Sequence, residues 1–318
     1  MSLGLVFSPQ GSQVVGMGRE LAEQSAAARA VFAEADATLG WSVSGTCWDG
    51  PAERLSETRQ TQPCLLATSI AALRALEERA TLRPAMAAGH SVGEYAALVA
   101  AGVLELGAAL RLVARRAELM ATAAADVDGG MLAVIGLERE AVEAVVAAVG
   151  RPTELVVAND NAPGQVVVSG HAEALMLVED AMRAAGARRL ISLPVSGAFH
   201  SPLMAGVADD LADAFASETW ADARIPVVSN VTAEPVTHAG RLRALLAEQV
   251  RSPVEWVRSV QRMRDDGVDA IIELGSGAAL VGMVRRIAPE VRAAAVNDIA
   301  TLEEAVATVA SPAGASVS

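Results

Sequence analysis

The sequence contains no lysine, so all 25 of its basic side chains are arginines. Acidic residues outnumber them, with 38 aspartates and glutamates and a formal net charge of -13. A broad nucleic-acid-binding surface requires the opposite sign of charge, so we expect no nucleic-acid partner. A partner that is itself acidic would have to be recognised through a local patch of arginines.

Cysteine is also scarce, since only Cys47 and Cys64 are present. Two cysteines cannot form a disulfide framework, and neither belongs to a cluster with the spacing of a zinc site. We therefore expect no metal and a reducing compartment. The sequence has no apolar run of the ~18–20 residues that a membrane helix needs, and it does not open with the features of a signal peptide. These absences predict a cytoplasmic protein without a membrane partner.

What the chain does have is apolar material, since 52% of its 318 residues are hydrophobic and 20% are charged. This composition supports a sizeable core and excludes a mostly disordered chain. The length accommodates one large domain or two of ordinary size, each of ~100–200 residues. The expected class is a globular protein of the size of an enzyme.

Short apolar runs and helical patterns alternate along the first part of the chain. Residues 3–8 are predicted to form a buried strand that enters a turn at Pro9, and a helix follows from about Met17. A second helix is predicted to begin near Thr61, with Pro63 in or near its first turn. The small apolar run 85–89 leads into a Gly-x-Ser-x-Gly segment, and a helical pattern over residues 94–101 follows at once.

The segment from residue 128 to residue 196 has a pattern of its own. Strands are predicted at residues 131–137, 155–158, 165–169 and 189–195, with a loop over 159–164, and helices at 138–149 and 172–185. This βαββαβ order is that of a ferredoxin-like unit. We therefore predict a small ferredoxin-like subdomain, residues 128–196, inserted into a large domain formed by residues 1–127 and 197–318.

The large domain is predicted to be α/β. In its second part, strand candidates at residues 225–228, 270–274 and 293–296 alternate with helical stretches. This alternation favours a mainly parallel sheet. The polar residues 311–318 are predicted to be a mobile tail.

The segment Gly89-His90-Ser91-Val92-Gly93 matches the pattern of a nucleophile elbow. In that turn, small flanking residues let the chain pass sharply from strand to helix and present the serine hydroxyl. The alternative is that two glycines merely close a tight turn. A serine nucleophile needs a base. Of the four histidines, His200 is preferred over His90, His171 and His238, because it follows the last strand of the insert, where a cleft would form.

These pieces resemble the malonyl-CoA:acyl carrier protein acyltransferases of fatty-acid and polyketide synthesis, and the resemblance covers nearly the whole chain. Several separate motifs occur in the family's order. They are Phe7-Ser8-Pro9-Gln10-Gly11-Ser12-Gln13, Thr61-Gln62-Pro63, residues 89–94, 116–120, 159–170 and 197–204, Pro253-Val254-Glu255-Trp256, and Glu273-Leu274-Gly275-Ser276-Gly277. The resemblance implies a large α/β-hydrolase-like domain interrupted by the ferredoxin-like insert.

The resemblance also implies a covalent mechanism. A coenzyme A thioester would acylate Ser91, with His200 as the general base. A backbone carbonyl that maps to Gln249 would orient the imidazole, and the backbone N–H groups of Val92 and Gln10 would hold the oxyanion of the thioester carbonyl. The implied partners are an acyl-CoA and an acyl carrier protein, and no metal or redox cofactor is implied.

Arg116 stands where the family binds the malonyl carboxylate. A guanidinium offers a carboxylate two parallel donors in fixed geometry, which lysine cannot. Arg111 and Arg115 share the same helix, and an ordinary solvated charge is the alternative reading for all three arginines.

Four further residues are expected to bind the substrate. Phe199, directly before the histidine, is typical of family members that take unbranched malonyl units, because its bulk would crowd an α-methyl branch. The alternative for this side chain is core or rim packing. Gln62, Asn161 and His90 are expected to shape the cleft.

Two positions depart from the family. Relatives carry Phe-Pro-Gly-Gln-Gly in the N-terminal loop, whereas this chain has Pro9 where they have glycine. Proline fixes φ and has no N–H donor, so the course of the loop is not carried over from the family, while the N–H of Gln10 is retained. Relatives often carry lysine where this chain has Ala278, so no contact with coenzyme A or a carrier is transferred to that position.

An acyl carrier protein presents an acidic helix, which would dock on arginines. The candidates are two pairs, Arg188 with Arg189 at the edge of the insert and Arg285 with Arg286 after the glycine-rich motif.

Three other functions stay open at this point. The first is a discrete polyketide-pathway acyltransferase that moves a different or longer acyl chain between carriers. The second is an esterase or thioesterase with the same elbow, which requires an acidic triad member between Ser91 and His200 and an HGGG-like loop; the sequence contains no such loop. The third, a non-catalytic scaffold that binds carriers, is disfavoured by the presence of Ser91, His200 and Arg116 together.

Overall fold

The strands of this computed structural model, which describes residues 2–195 and 197–310, form two separate sheets. Met1, Ser196 and residues 311–318 lie outside the described residues. The last of these ranges is the predicted mobile tail. The strands are β1 (Leu3–Phe7), β2 (Pro84–Gly89), β3 (Gly129–Ile135), β4 (Leu155–Ala162), β5 (Gln165–His171), β6 (Arg189–Ser192), β7 (Val227–Val228), β8 (Pro235–Val236), β9 (Ala270–Leu274) and β10 (Arg292–Val296).

Helices connect and cover these strands. They are α1 (Arg19–Gln24), α2 (Ala26–Leu39), α3 (Val43–Asp49), α4 (Ala52–Leu55), α5 (Thr58–Arg79), α6 (Gly93–Ala100), α7 (Leu106–Asp126), α8 (Arg139–Val149), α9 (Ala172–Ala184), α10 (Ala205–Ala216), α11 (Ala239–Gln249), α12 (Trp256–Asp265), α13 (Ala279–Ile287) and α14 (Ile299–Ala310), with one 3-10 turn at Pro202–Met204. Within the described ranges, no helix is both long and apolar enough to cross a membrane.

The large sheet has the strand order β10-β9-β1-β2-β7-β8 and is parallel except for the β7–β8 pair. Its central strands are buried on both faces. In β1, Leu5 packs into one hydrophobic core and its neighbour Val6 into a second core on the opposite face. Helices therefore cover both faces of the sheet, which explains why β1 is a continuous apolar run rather than an alternating pattern.

The small sheet is antiparallel with the order β4-β5-β3-β6. Along β3, Leu132 and Val134 pack under helices α8 and α9, whereas Met131 and Ala133 face the large part of the molecule. This alternation follows the two-residue period of a strand. One face of the small sheet thus builds its own core, and the other face is left to line a cleft.

The predicted fold class is confirmed: the structure has a mainly parallel α/β sheet and a separate βαββαβ unit with the ferredoxin-like strand order. Several predicted boundaries are wrong, among them that of β3, which was predicted at residues 131–137 and spans Gly129–Ile135. Helix α5 begins at Thr58, so Pro63 lies inside the helix rather than in its first turn. Strand β6 ends at Ser192, and β4 continues to Ala162 through the segment predicted as a loop.

Polar contacts join the two parts of the molecule beside the cleft. Val254 N donates to Ala158 O at 2.8 Å, and Asp160 N donates to Val254 O at 3.1 Å. The Arg139 guanidinium pairs with the Glu255 carboxylate. These contacts hold β4 of the small sheet against the segment that leads into α12. The proposed division at residues 128 and 196 stays a prediction.

Candidate active site

The Gly-x-Ser-x-Gly segment forms a sharp turn between β2 and α6. Ser91 has a φ of 52°, in the left-handed region that residues other than glycine rarely adopt. A Cβ on Gly89 would lie 2.0 Å from Gly93 O, and a Cβ on Gly93 would lie 2.2 Å from Phe7 O. Both glycines are therefore required by close packing of backbone against backbone, and the turn presents the serine at the carboxyl end of the parallel sheet.

Ser91 and His200 are in hydrogen-bond contact, with Ser91 Oγ 2.7 Å from His200 Nε2. On the other side of the ring, His200 Nδ1 lies 2.9 Å from Gln249 O and 3.2 Å from Ser252 O. Because both of these atoms are carbonyl oxygens, Nδ1 carries the proton and donates, which leaves the lone pair of Nε2 facing the serine. His200 is itself held with a φ of 57°.

The imidazole of His200 is kept neutral. Burial, together with the nearby charge of Arg116, lowers the pKa of His200 to about 3. A neutral ring is the form that accepts a proton from the serine. The arrangement is thus a serine, a base and a carbonyl that orients the base, in the place where a carboxylate often stands.

The two N–H groups expected at the oxyanion site belong to Val92, directly after the serine, and to Gln10, which lines the same cavity as Ser91. Neither Gln10 N nor Val92 N has an acceptor among the described residues. The loop that carries Gln10 is closed by a turn in which Ser12 N and Ser12 Oγ donate to Pro9 O, at 3.3 and 2.7 Å. Proline at position 9 supplies only a carbonyl to this turn, so its missing N–H breaks none of these bonds.

Arg116 lies beneath the serine and is only 1% exposed. Its Nη2 donates to Ser91 Oγ at 3.0 Å and to Gln249 Oε1 at 3.1 Å, and its Nη1 donates to Gln62 Oε1 at 2.7 Å. Gln62 is fully buried, and besides the guanidinium it contacts Gln10 of the cavity wall, where its Nε2 donates to Gln10 Oε1 at 3.3 Å. Burial lowers the pKa of Arg116, but its ordinary value is so high that the group stays charged.

The other two arginines of α7 lie outside the site. Arg111 pairs with Glu218 on the surface, and Arg115 is exposed. The structure therefore separates the three arginines that the sequence could not distinguish.

Two buried residues of the site were missed by the sequence interpretation. Glu94 Oε2 accepts from Gln249 Nε2 at 2.6 Å, and burial raises the pKa of Glu94 to about 7. Asn230 lies behind the elbow, where its Oδ1 accepts from Ser91 N at 2.7 Å. Glu94 follows the serine motif directly, but Asn230 carries no sequence signal beyond being a polar residue after a short strand.

A cavity of about 240 Å³ opens above Ser91, between the two parts of the molecule. His90 and Asn161 line it and contact each other, with His90 Nε2 2.8 Å from Asn161 Oδ1. Burial lowers the pKa of His90 to about 4. Phe199 also lines the cavity. Its ring rests on Gly197, where a Cβ would lie 2.8 Å from Phe199 Cε1.

The rest of the cavity wall is mainly apolar. Its apolar side chains come from helix α7, the small sheet, the segment after it and helix α13: Met120, Met131, Ala133, Val167, Leu193, Val195 and Met283. The cavity therefore has polar groups concentrated around Ser91 and an apolar wall opposite. The described residues contain no group of three side chains that could hold a metal ion.

All four arginines proposed for carrier docking are exposed. Arg285 and Arg286 lie on α13, the helix that carries Met283 into the cavity wall. Arg286 Nη1 donates to Gln165 Oε1 at 2.8 Å, and Gln165 lines the same cavity. Arg188 packs beside Gly136, at the end of β3, and does not line the cavity.

Known proteins with similar sequences and structures are acyltransferases. The family model described as "Acyl transferase domain" matches residues 5–310. The chain is 41% identical over 308 residues to the malonyl CoA-acyl carrier protein transacylase of Bacillus subtilis, covering 96% of this chain and 97% of that protein. It is 40% identical over 293 residues to the protein of the same name from Escherichia coli K12, covering 92% and 95% of the two chains.

Solved structures are similar over the whole chain. An acyl carrier protein S-malonyltransferase from Vibrio cholerae superposes with a TM-score of 0.92 and 40% identity, covering 96% of this chain and 100% of that one. A malonyl-transacylase solved in complex with its type II polyketide synthase acyl-carrier protein superposes with a TM-score of 0.93 and 39% identity, covering 97% and 100%.

Proposed function

The chain belongs to the acyl transferase family, and from this premise we propose that it moves a malonyl group from coenzyme A to the phosphopantetheine thiol of an acyl carrier protein through an acyl-serine intermediate. The observation that carries the choice of acyl group is the position of Arg116, whose Nη2 lies 3.0 Å from Ser91 Oγ. A buried cation beside the nucleophile favours an acyl group that ends in a carboxylate. Its relatives named as malonyl transacylases support the same substrate.

In the first half-reaction, the Ser91 hydroxyl attacks the thioester carbonyl while its proton passes to His200 Nε2. The carbonyl oxygen becomes an anion, which the N–H groups of Gln10 and Val92 are free to bind. Collapse of this intermediate breaks the carbon–sulfur bond. The departing thiolate of coenzyme A takes the proton back from His200, and the malonyl group remains on Ser91.

The second half-reaction reverses these steps with a different thiol. The phosphopantetheine thiol gives its proton to His200 and attacks the acyl-serine carbonyl. The serine then leaves with that proton, so the enzyme is regenerated. Gln249 O and Ser252 O hold His200 in one tautomer throughout, because Nδ1 donates to them while Nε2 handles the proton.

Arg116 and Phe199 together account for the size and charge of the acyl group. The malonyl carboxylate would replace Ser91 Oγ and Gln249 Oε1 as the acceptor of Arg116 Nη2. The Phe199 ring, which packs against Gly197 and lines the cavity next to His200, would crowd an α-branch. A small unbranched dicarboxylic acyl group fits this combination better than a longer chain, which was the main alternative.

Docking of the carrier is proposed for the α13 side of the cavity. Arg285 and Arg286 lie on this helix, and Met283 brings the same helix to the cavity wall. Two exposed guanidinium groups here would bind an acidic carrier helix although the whole chain has a net charge of -13. Arg188 and Arg189 form the second candidate pair.

The reaction as proposed uses only protein groups and the two thiols, so it needs no metal or redox cofactor. We place it in the cytoplasm, where coenzyme A thioesters and free thiols coexist. The two buried cysteines, Cys47 and Cys64, are both free, which suits a reducing compartment.

The test is covalent labelling of the intact protein. After incubation with malonyl-CoA, the wild type should gain the mass of one malonyl group, and the label should pass to an added carrier protein. Ser91→Ala should show no labelling, whereas Ser217→Ala, a change at an exposed serine at the end of α10, should label fully. Labelling of Ser91→Ala would refute the assignment. Release of free malonate without a carrier, at the rate of acylation, would support a thioesterase instead.

A further inference from the structure

The N–H groups of the nucleophile elbow are almost all used within the fold. Of the five from His90 to Glu94, four have acceptors: His90 N donates to Phe7 O at 3.2 Å, Ser91 N to Asn230 Oδ1 at 2.7 Å, Gly93 N to His90 O at 3.0 Å and Glu94 N to Ser91 O at 3.0 Å. Val92 N has none among the described residues. The elbow therefore leaves one donor free, and it is the donor that the acyl transfer mechanism needs.

One of these four acceptors is a side chain rather than the backbone. Asn230 Oδ1 accepts from Ser91 N, and Asn230 Nδ2 donates to Gly89 O at 2.6 Å. The amide thus binds the backbone on both sides of His90. Asn230 is fully buried, and it is held in turn by its own backbone, which donates to Glu94 Oε2 at 3.4 Å and accepts from Glu255 N at 2.9 Å.

The position of Asn230 follows from the sheet. Strands β2 and β7 pair in parallel up to Ala88 and Val228, and β7 ends there. The chain then departs, so the backbone of β7 cannot continue the pairing into the elbow. Asn230 lies two residues beyond the end of β7. Its side chain provides one acceptor and one donor to the elbow, in place of the backbone groups that a continued strand would have provided.

Such a clamp matters because Ser91 is in a strained conformation. A non-glycine residue with a φ of 52° persists only where its surroundings determine it fully. The neighbouring peptide unit, between Ser91 and Val92, carries the free oxyanion donor. Its orientation depends on the same strained φ and on the bond from Gln249 Nε2 to Ser91 O, at 3.0 Å.

We propose that Asn230 is a positioning residue for acyl transfer: by clamping Gly89 and Ser91, it holds the elbow so that the serine hydroxyl meets His200 and the Val92 N–H points at the oxyanion. Asn230 does not touch the substrate. Because it acts on the nucleophile and the oxyanion, its loss should slow transfer of charged and uncharged acyl groups equally, in contrast to loss of Arg116. The inference rests on the proposed function, in which Ser91 is the nucleophile.

The test uses an alkyl fluorophosphonate, which needs the nucleophile and the oxyanion site but carries neither a malonyl group nor coenzyme A. Ser91 Oγ forms a bond to phosphorus, fluoride leaves, and His200 takes the serine proton. Asn230→Ala should lower the second-order rate constant of labelling by about 10²-fold, the size of effect seen when an oxyanion donor is lost. The matched control is Ser229→Ala, a change at the preceding residue, which is also buried but whose Oγ accepts from Val231 N instead of contacting the elbow.

A second variant, Asn230→Asp, keeps the shape of the side chain and separates positioning from folding. At about pH 8 an ionised aspartate accepts from Ser91 N but cannot donate to Gly89 O. At about pH 5, burial favours the protonated form, whose O–H restores that donor. The labelling rate of Asn230→Asp relative to wild type should therefore rise at least about tenfold as the pH falls over this range. The neighbouring ionisable groups are Glu94, Glu255, Arg116 and His200, of which Arg116 stays charged and His200 stays neutral over this range. Dividing by the wild-type rate removes the pH dependence that the two proteins share.

The possible results separate the two claims. Labelling of Asn230→Ala within about threefold of Ser229→Ala would overturn the inference, as would a ratio for Asn230→Asp that is flat or falls with decreasing pH. If Asn230→Ala does not fold, as judged by thermal unfolding, the pH ratio of Asn230→Asp decides alone. If the fluorophosphonate labels the wild type but malonyl-CoA does not acylate it, the proposed function fails while the positioning role stands. If neither reagent modifies Ser91, both fail.

Discussion

Substitution of Arg116 separates recognition of the malonyl carboxylate from the chemistry at the thioester. Arg116→Ala should slow acylation by malonyl-CoA strongly, because the carboxylate loses its buried cationic partner. Acylation by acetyl-CoA, which has no carboxylate, should change by less than about threefold, since Ser91, His200 and the oxyanion donors stay in place. The variant should therefore change the preference of the enzyme between the two thioesters.

The size of the effect can be worked out from the hydrogen bonds. A hydrogen bond to a charged group contributes about 1.5–3 kcal/mol, so two parallel bonds to the carboxylate contribute about 3–6 kcal/mol. Arg116 already donates to Gln62 Oε1, Ser91 Oγ and Gln249 Oε1 at 2.7 to 3.1 Å, and the carboxylate has to displace some of these acceptors. The net loss should therefore be near the lower end, about 3 kcal/mol, which corresponds to about 10²-fold in rate.

Removal of a buried charge does not have to unfold the protein. Burial already raises the pKa of Glu94 to about 7, and the positive charge of Arg116 opposes that rise. Without Arg116 the pKa of Glu94 should rise further. The Glu94 carboxyl would then be neutral at pH 7, so no uncompensated anion would be left in the site.

The assay is rapid-quench acylation followed by intact-mass analysis, with malonyl-CoA and acetyl-CoA measured side by side. Arg115→Ala, at the adjacent exposed arginine on α7, is the matched control and should behave as wild type. Arg116→Lys keeps the charge but not the parallel donors, so its loss should be intermediate, about tenfold. Equal losses on malonyl-CoA and acetyl-CoA in Arg116→Ala would refute the carboxylate role.

Two further predictions concern charge. Because folding lowers the pKa of both His200 and His90, only the unfolded chain protonates these two rings between about pH 6.5 and pH 5, so each histidine should contribute a stability loss of up to about 2 kcal/mol on acidification. The raised pKa of Glu94 acts in the opposite direction, so the comparison is made between variants. Denaturant unfolding at pH 7 and pH 5 should show His200→Gln losing less stability on acidification than wild type, and an equal loss would contradict the assignment. Reversing Arg285 and Arg286 to glutamate should slow transfer to the carrier more than acylation by malonyl-CoA, about tenfold at low salt; if carrier kinetics are unchanged, this pair is not the docking site.

Much of the scaffold could be predicted because its signals are local and strong. Strand β9 was predicted with its observed bounds, Ala270–Leu274, since a mainly apolar run of five residues with two isoleucines is too short for a helix and is followed by a glycine-rich turn. The order of elements in the insert was correct for the same reason. The start of α5 was misplaced because Pro63 usually marks a first turn. Here it lies inside the helix, where it only removes one N–H, the one that would bond the carbonyl of Arg59.

The errors concentrate where the site overrides local preference. Asn159, Asp160 and Asn161 are turn-forming residues, so the sequence predicts a loop, yet they continue β4 with two irregularities in its register. The strand is kept because Asp160 N bonds Val254 O and Asn161 contacts His90 across the cleft. Asn230 was missed for a related reason, since its partners are brought to it by the parallel pairing of β2 with β7 and not by any nearby sequence pattern.

The apolar wall opposite Ser91 affects the lifetime of the acyl-serine ester rather than the binding of the substrate. Once coenzyme A has left, the malonyl ester must survive until a carrier arrives, and meanwhile water is the competing acceptor that His200 could also activate as a general base. Met131, Ala133 and Val167 of the small sheet offer water no hydrogen bonds above the ester. The contacts that hold this sheet in place, such as Arg139 with Glu255, therefore influence how many acyl groups reach a carrier and how many are lost as free acid.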